Sequence, residues 1–250
     1  MDEMPISLVT GANQGIGLQI AKDLTLAGFR VLIGSRNLTR GEAAACQVGP
    51  SATALQLDVT DPVSITAAAA RIQDEFGRLD VLVQNAAIAT TREGVNGPEL
   101  AMTNRPSVVS INEMRAVWDT NVFGVLAVYQ AMLPILRATP GARIINMSSG
   151  MGSLTLASDP QSPLRPLFEV SYSGSKTALN ALTVAMAMEL EPEGIRVNAV
   201  SPGYTSTRMT SFEGVDSVEQ GAVEAVRLAL LGADAPTGGF THATLGTLPW

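Results

Sequence analysis

Tyr172 and Lys176 are the two residues of this chain whose types and spacing most directly imply chemistry. They stand four apart at the head of an apolar run, Ala181 to Leu190, whose pattern predicts a helix. Positions i and i+4 share one helix face, so a phenol and an ammonium would sit side by side. An isolated tyrosine titrates near ~10, and a nearby positive charge favours the phenolate and lowers that value. The expected outcome is a phenol that can donate its proton, and a phenolate that can accept one, near neutral pH. The chain has only two lysines, Lys22 and Lys176, and three tyrosines, which makes this placement by chance infrequent. The competing explanation is a surface tyrosine followed by an unrelated lysine, and the rest of the chain has to decide between them.

A second chemical signal lies near the start. Gly11-Ala12-Asn13-Gln14-Gly15-Ile16-Gly17 follows a short apolar and β-branched run, Ile6–Thr10, and precedes a helical pattern from Leu18 to Leu26 that Gly28 ends. Strand, glycine turn and helix is the setting of a nucleotide-binding loop. Glycines let the backbone approach a pyrophosphate, and the helix N-terminus presents free N–H groups and partial positive charge. The alternative is a tight turn with incidental glycines. After the second predicted strand, Arg30–Ser35, comes Arg36, with Arg40 close by. Dinucleotide folds place an acid near this point for a ribose 2′-hydroxyl, or an arginine for a 2′-phosphate; here Ser35-Arg36 stands without an acid.

These residues need a scaffold, and the pattern supplies one. Helix 41–47, strand 52–57, Asp61 and Pro62 opening helix 63–76, and strand 79–83 continue the alternation of strand and helix. Residues 90–110 are expected to be loop. A long helix is expected over 112–137, with Pro134 bending or shortening its last turn. Strand 143–147 delivers Ser148-Ser149-Gly150 at its C-terminal end, where ligands bind in such sheets. The proline-containing stretch 151–170 should be irregular. Strand 194–200, the loop Ser201 to Thr207, helix 217–231 and a strand over 237–241 complete the chain. The fold class is α/β: one doubly wound, Rossmann-type parallel sheet of about seven strands with helices on both faces, spanning residues 1–250 as a single domain.

Composition narrows the function classes. The 250 residues are 46% hydrophobic and carry a formal net charge of −7. No basic run marks a nucleic-acid partner. Cys46 is the only cysteine and His242 the only histidine, so there is no intramolecular disulfide, no cysteine zinc cluster and no His-based triad, and no metal site is expected. His242 is expected at the surface. The acidic opening Met1-Asp2-Glu3-Met4-Pro5 is not a signal peptide, and no apolar stretch is long and uninterrupted enough for a membrane span. A soluble, cytoplasmic protein is expected.

The motifs Thr10-Gly11-x-x-x-Gly15-Ile16-Gly17, Asn85-Ala86, Asn121, Ser149, Tyr172-x-x-x-Lys176 and Pro202-Gly203 occur in the order of the short-chain dehydrogenase/reductase family, which nearly the whole chain resembles. The run Ser-Ser-Gly-Met-Gly-Ser over 148–153 and the ending Leu248-Pro249-Trp250 resemble its carbonyl-reductase-like branch. The resemblance implies Tyr172 as general acid in reduction and base in oxidation. It implies Lys176 as ligand of the nicotinamide ribose and as the group that lowers the tyrosine pKa. Ser149 would hydrogen-bond the substrate carbonyl, and Asn121 would hold a water connecting Lys176 to solvent. Gly11, Asn13, Gln14, Gly15, Ile16 and Gly17 would line the pyrophosphate, and Ser35 and Arg36 the 2′-phosphate. Asp58 and Val59 would meet adenine, Asn85 and Ala86 the adenosine ribose, and Pro202, Gly203 and Thr205 the nicotinamide end. Substrate contacts would come from Ser149, Met151, Tyr172 and Tyr204.

Two departures stand out: Ala87 where the family's pattern has glycine, and Gln14 where it often has a basic residue. The stretch between Ser149 and Tyr172 is also longer than in common members and is expected to fold over the substrate side. The implied function is an NADP(H)-dependent reductase of ketones or aldehydes, with NAD(H) as a weaker cofactor, working as a homodimer or homotetramer on a small molecule. An NAD-dependent alcohol dehydrogenase and a catalytically silent cofactor-binding sensor are the alternatives. Arg36 argues against the first and the complete Asn-Ser-Tyr-Lys set against the second.

Overall fold

The computed structural model describes residues 4–95, 97–232 and 235–250; Met1, Asp2 and Glu3, which carry the signal-peptide expectation, lie outside the described residues. The strands are β1 (Ile6–Thr10), β2 (Arg30–Ser35), β3 (Ala52–Gln56), β4 (Val81–Gln84), β5 (Arg143–Met147), β6 (Arg196–Val200), β7 (Phe240–His242) and β8 (Gly246–Thr247). The helices are α1 (Gly15–Leu26), α2 (Leu38–Val48), α3 (Pro62–Phe76), α4 (Gly97–Thr103), α5 (Ile111–Trp118), α6 (Gly124–Ala138), α7 (Leu154–Ser158), α8 (Tyr172–Leu190) and α9 (Val218–Leu230). The sheet order is β3-β2-β1-β4-β5-β6-β7-β8, parallel through β7, with β8 antiparallel at the edge.

Alternation along the strands explains the layers. Successive side chains of a strand point to opposite faces. Leu8, Leu82, Ile144 and Val197 go to one face and pack with residues of α3, α6 and α8. Val9, Val83, Ile145 and Val200 go to the other and pack with residues of α1, α2 and α9. With both faces covered, β1 and β4 are buried along their whole length, as central parallel strands must be. β1 lies between β2 and β4, so the chain leaves it in opposite directions. The crevice at the C-terminal ends of β1 and β4 is the switch point where such sheets bind ligands.

Several expectations need correction. An eighth strand, β8, extends the expected seven. Helix α2 begins at Leu38 rather than at residue 41, because the Asn37 side chain accepts from Arg40 N at 2.9 Å and opens the helix early. Residues 90–110 are not all loop: α4 lies within them. The long helix is three pieces, α5, a π-turn at Asp119–Phe123 and α6. Pro134 sits inside α6 without ending it.

The combined run Ile111–Ala138 is long and apolar enough, by length and composition, to cross a membrane, contrary to the expectation that no such stretch exists; half of its most apolar window is buried inside the fold. Val125, Val128, Tyr129, Met132 and Leu136 belong to the core against the sheet, which accounts for the apolar character.

Candidate active site

One face of α8 is fastened along β5 and the turn that leaves it. Tyr172, Lys176, Asn180 and Thr183 recur at helical spacing and meet successive groups of the strand. Thr183 Oγ1 accepts from Asn146 Nδ2 at 2.9 Å. Ser148 Oγ donates to Asn180 Oδ1 at 2.5 Å, and Asn180 Nδ2 donates to the Gly152 carbonyl at 3.2 Å. Lys176 Nζ donates to the Met147 carbonyl at 2.7 Å and is buried. Gly152 lies so close that a Cβ there would stand 2.8 Å from the Lys176 backbone carbon. At the head of the seam the Ser149 hydroxyl comes near enough to the Tyr172 phenol to favour its anion. The two serines thus divide: Ser148 is spent on Asn180, and Ser149 faces the phenol. Lys176 Nζ sits 5.6 Å from the centre of the Tyr172 ring, so the helix does bring together the pair expected from the sequence.

The electrostatics run against one expectation. Burial pushes the Tyr172 phenol up to about 12, partly offset by the Ser149 hydrogen bond and reinforced by the negative charge of Glu169. Burial pushes the Lys176 ammonium down to about 7. Desolvation disfavours the charged form of both groups and sets the direction of both shifts.

The glycine turn is held from behind. The Thr10 hydroxyl accepts from the backbone N–H of Asn85 and of Ala86, at 2.9 and 3.0 Å. Asn85 Nδ2 donates to the Thr10 and Gly11 carbonyls at 2.9 and 3.2 Å. A Cβ on Gly17 would stand 2.4 Å from that amide, and one on Gly11 3.0 Å from Ala86 Cα. The Asn85 side chain is therefore a brace for the turn and not a free ligand group. Gly11 and Gly15 both adopt positive φ, at 64° and 59°, the left-handed region that favours glycine.

Helices α2, α3, α5 and α9 are closed by the side chains of Asn37, Asp61, Ser110 and Ser217. Helix α1 is different: Gln14 at its N-cap makes no side-chain cap. Its first amides, from Gly15, Ile16 and Gly17, are left for an anion. A dinucleotide pyrophosphate fits that turn.

Elsewhere the expected residues are placed as follows. Arg36 is exposed, beside the C-terminal end of β2. Ser35 is buried, and its hydroxyl donates to the Asn37 carbonyl at 2.8 Å, so it is not available to a phosphate. Asp58 accepts from the Thr60 backbone and hydroxyl, and Val59 is buried under Gly124. Gly203 takes φ 81° beside Asp216 and His242, and Thr205 Oγ1 donates to the Pro202 carbonyl at 3.0 Å. His242 is not a plain surface residue: it is half-buried, and its Nδ1 accepts from the Thr244 and Leu245 amides.

Asn121, in the π-turn, exchanges bonds with both backbone groups of Ile88 and donates to Ser175 Oγ at 3.0 Å. These bonds tie the loop at Ile88 to α8 at Ser175. Such π-turns are frequent at functional sites. Met151 donates its N–H to Ser149 Oγ at 3.2 Å, in the turn Gly150–Gly152, whereas Tyr204 is exposed. The segment after it packs back on the site: Leu164 Cδ1 closes on Gly150, and the Trp250 carbonyl accepts from Thr155 of α7. A cavity of about 650 Å³ lies under α4 and α5, lined by Arg92, Asn104 and Glu113 among others. None of Ser149, Met151, Tyr172 and Tyr204 lines it.

Glu169 is a further residue of the site, outside the motifs of the sequence. Its buried carboxylate accepts from Ser171, Tyr172 and Ser173 N–H at 2.7, 2.8 and 2.8 Å. An acid three residues ahead of the Tyr172 helix is a capping signal that was open to reading.

An uncapped helix behind a glycine turn at the switch point thus stands at the same edge of the sheet as a serine–tyrosine–lysine group. The family described as short chain dehydrogenase matches residues 5–216. The short-chain dehydrogenase anuI of Penicillium roqueforti is 35% identical, covering 92% of this chain and 90% of that one. The (+)-neomenthol dehydrogenase of Arabidopsis thaliana is 33% identical, covering 94% of each. The structure of salutaridine reductase from Papaver somniferum superposes with a TM-score of 0.80 at 26% identity, over 96% of this chain and 99% of that one. The chain belongs to the short-chain dehydrogenase family, whose members bind a nicotinamide cofactor; a 3-ketoacyl-(acyl-carrier-protein) reductase from Brucella melitensis complexed with NADH matches with a TM-score of 0.78 at 25% identity, over 96% of this chain and 97% of that one.

The lowered Lys176 pKa has a measurable consequence. The folded lysine titrates near 7 and an unfolded one near ~10.4. Between those values the unfolded chain binds the extra proton, so stability is present at high pH and is lost as pH falls. Tyr172 acts in the opposite sense, reducing stability as pH rises above about 10. Urea unfolding of the wild type and Lys176→Met should differ by an amount that changes by up to about 1.4 kcal/mol per pH unit between about pH 7 and 10, the wild type gaining as pH rises. A difference independent of pH would show that Lys176 is not held neutral.

Proposed function

We propose that the protein is an NADP(H)-dependent carbonyl reductase that converts a ketone or aldehyde to an alcohol. The observation that carries this reading is the Ser149–Tyr172 pair, two hydroxyls near enough for the serine to favour the tyrosine's anion, at the end of β5 where the sheet receives ligands. When bound, the cofactor supplies the hydride. As the carbonyl oxygen gains negative charge, Ser149 and Tyr172 donate to it, and Tyr172 passes its proton to the oxygen. The Tyr172 O–H bond breaks as the new alcohol O–H bond forms, and the phenolate recovers its proton from solvent.

Lys176, one helical turn on, supplies its amine to the ribose side of the cofactor. Gly11, Asn13, Gln14, Gly15, Ile16 and Gly17 bind the pyrophosphate through the turn and the open amides of α1. Asp58, Val59 and Ala86 border the adenosine, and Pro202, Gly203 and Thr205 the nicotinamide. Met151 and Tyr204 border the substrate. Asn121 acts by fixing Ile88 and Ser175. Several relatives carry the names of reductases, among them salutaridine reductase of Papaver bracteatum and (-)-isopiperitenone reductase of Mentha piperita. With one cysteine the fold draws nothing from disulfides, which suits the cytoplasm as its working place.

NADPH consumption across a panel of ketones and aldehydes identifies the substrate, and Tyr172→Phe then tests the mechanism. That variant should lose several orders of magnitude in kcat while still folding and binding NADPH, because only the proton donor is removed. Turnover close to wild type would end the proposal.

Cofactor preference should rest on Arg36. It is exposed at the end of β2, and a guanidinium pairs well with a dianionic 2′-phosphate. A charged hydrogen bond of roughly 1.5–3 kcal/mol corresponds to about 10- to 150-fold in kcat/KM. Arg36→Ala should lower kcat/KM for NADPH by about that factor and leave NADH nearly unchanged. A variant that loses both alike would show that Arg36 does not select the phosphate. Because Ser35 is closed off and Gln14 is neutral, the preference should be modest, with measurable NADH activity.

The assembly proposed is a homodimer or homotetramer that pairs α6 and α8 across a two-fold axis. Phe123 and Met188, next to and on those helices, expose large apolar side chains. Light scattering at micromolar protein should give two or four times the chain mass; a single chain mass would refute it.

A further inference from the structure

We propose that Glu169 is a positioning residue for Tyr172: its carboxylate closes the first turn of α8 and places a fixed negative charge where the helix would otherwise draw the phenol toward phenolate. The inference rests on the reading of Tyr172 as the proton donor.

The geometry is unusual for a cap. Glu169 is 4% exposed. One oxygen accepts from Ser171 N at 2.7 Å, and the other from Tyr172 N and Ser173 N, both at 2.8 Å. Its own backbone carbonyl accepts from Gly174 N at 3.1 Å. A single residue thus satisfies the amides that open α8, while Ser171 at the N-cap position makes no side-chain cap. The segment carrying Glu169 is itself pinned: Val170 N donates to the Asn104 carbonyl, and the Trp118 indole donates to the Ser171 carbonyl at 3.1 Å.

Tyr172 is the first residue of α8. A helix N-terminus carries roughly half a positive charge, which favours an anion on a side chain placed there. Helical side chains lean back toward the N-terminus, so the phenol lies within the field of that end. A carboxylate seated on the same amides cancels the positive end and adds repulsion. The titratable groups facing the phenol are Glu169 just before α8 and Lys176 on α8 itself; from the turn after β5 the facing group is the uncharged Ser149 hydroxyl. The raised Tyr172 pKa, with Glu169 among its causes after burial, agrees with this arrangement. The effect is a phenol kept protonated, and so kept as a donor, until the reaction calls for its proton.

The test is a titration that needs no substrate. The ultraviolet absorbance of tyrosinate is followed with pH in the full chain, the Tyr172→Phe protein is subtracted to isolate the step of Tyr172, and circular dichroism reports whether the fold is intact. Glu169→Gln and Glu169→Ser remove the charge, the second keeping a hydroxyl that can cap; Glu169→Asp keeps the charge. In whichever neutral variant folds, the Tyr172 step should move down by about one pH unit, and Glu169→Asp should stay near the wild type. The alkaline fall-off of ketone reduction, measured with the most active member of the panel, should move by the same amount. An unmoved step in a folded neutral variant overturns the inference. So does failure of both neutral variants to fold while Glu169→Asp folds, which makes Glu169 a structural cap alone. Failure of the proton-donor reading shows separately, as turnover retained in Tyr172→Phe.

Discussion

The seam between α8 and β5 is the constraint on which the site depends. A strand fixes its carbonyls and side chains at a short, regular rise, and a helix presents every fourth residue along one line. Where the two are bonded at Asn146–Thr183, Ser148–Asn180 and Met147–Lys176, little freedom remains for the residues above. Ser149 and Tyr172 are the next rung, and they meet because the rungs beneath them are closed. Gly152 is part of the same fit, since any side chain there would strike the backbone of α8 at Lys176. The polar rungs also tie into the sheet, through Gln84 to Asn146 at 3.2 Å. A shift of β5 against β4 would therefore be felt at the catalytic edge.

The other half of the crevice is built on the opposite principle. Around the glycine turn, Thr10 and Asn85 satisfy one another's backbone groups from below, and the upper face of α1 is left uncapped. Open amides at a helix end carry a cost in an isolated fold and a gain once an anion arrives. The absence of a cap on α1 and the abundance of acceptors on α8 differ for a physical reason. In the proposed function, one helix end attracts the negative charge of a ligand, and the other seats a phenol without turning it into an anion.

Much of this was legible in the sequence, and what was not has identifiable causes. The strand–helix alternation, the glycine turn and the Tyr172–Lys176 spacing are local patterns, and local patterns specify these elements well. The hidden features are those set by tertiary partners. A π-turn in the middle of an apolar helix has no composition of its own, and Asn121 becomes meaningful only when Ile88 is opposite it. Ser35 looked available for a phosphate until folding supplied the Asn37 carbonyl. Asn85 looked like a ligand contact, and its neighbours made it a brace. The edge strand β8 is two residues long, too short to carry any alternation.

The sign of the Tyr172 shift was hidden for a different reason. Spacing says that a lysine is near; it says nothing about how dry the place is. With Lys176 buried and Tyr172 half-buried, desolvation dominates both: the phenol holds its proton and the amine readily loses one. That balance suits donation more than abstraction. An alkoxide is a stronger base than even a phenolate with a pKa near 12, so transfer from Tyr172 to a freshly reduced oxygen remains downhill. The reverse step would need the phenolate first, in surroundings that oppose it. The chain's own electrostatics therefore keep the phenol in the form that donates.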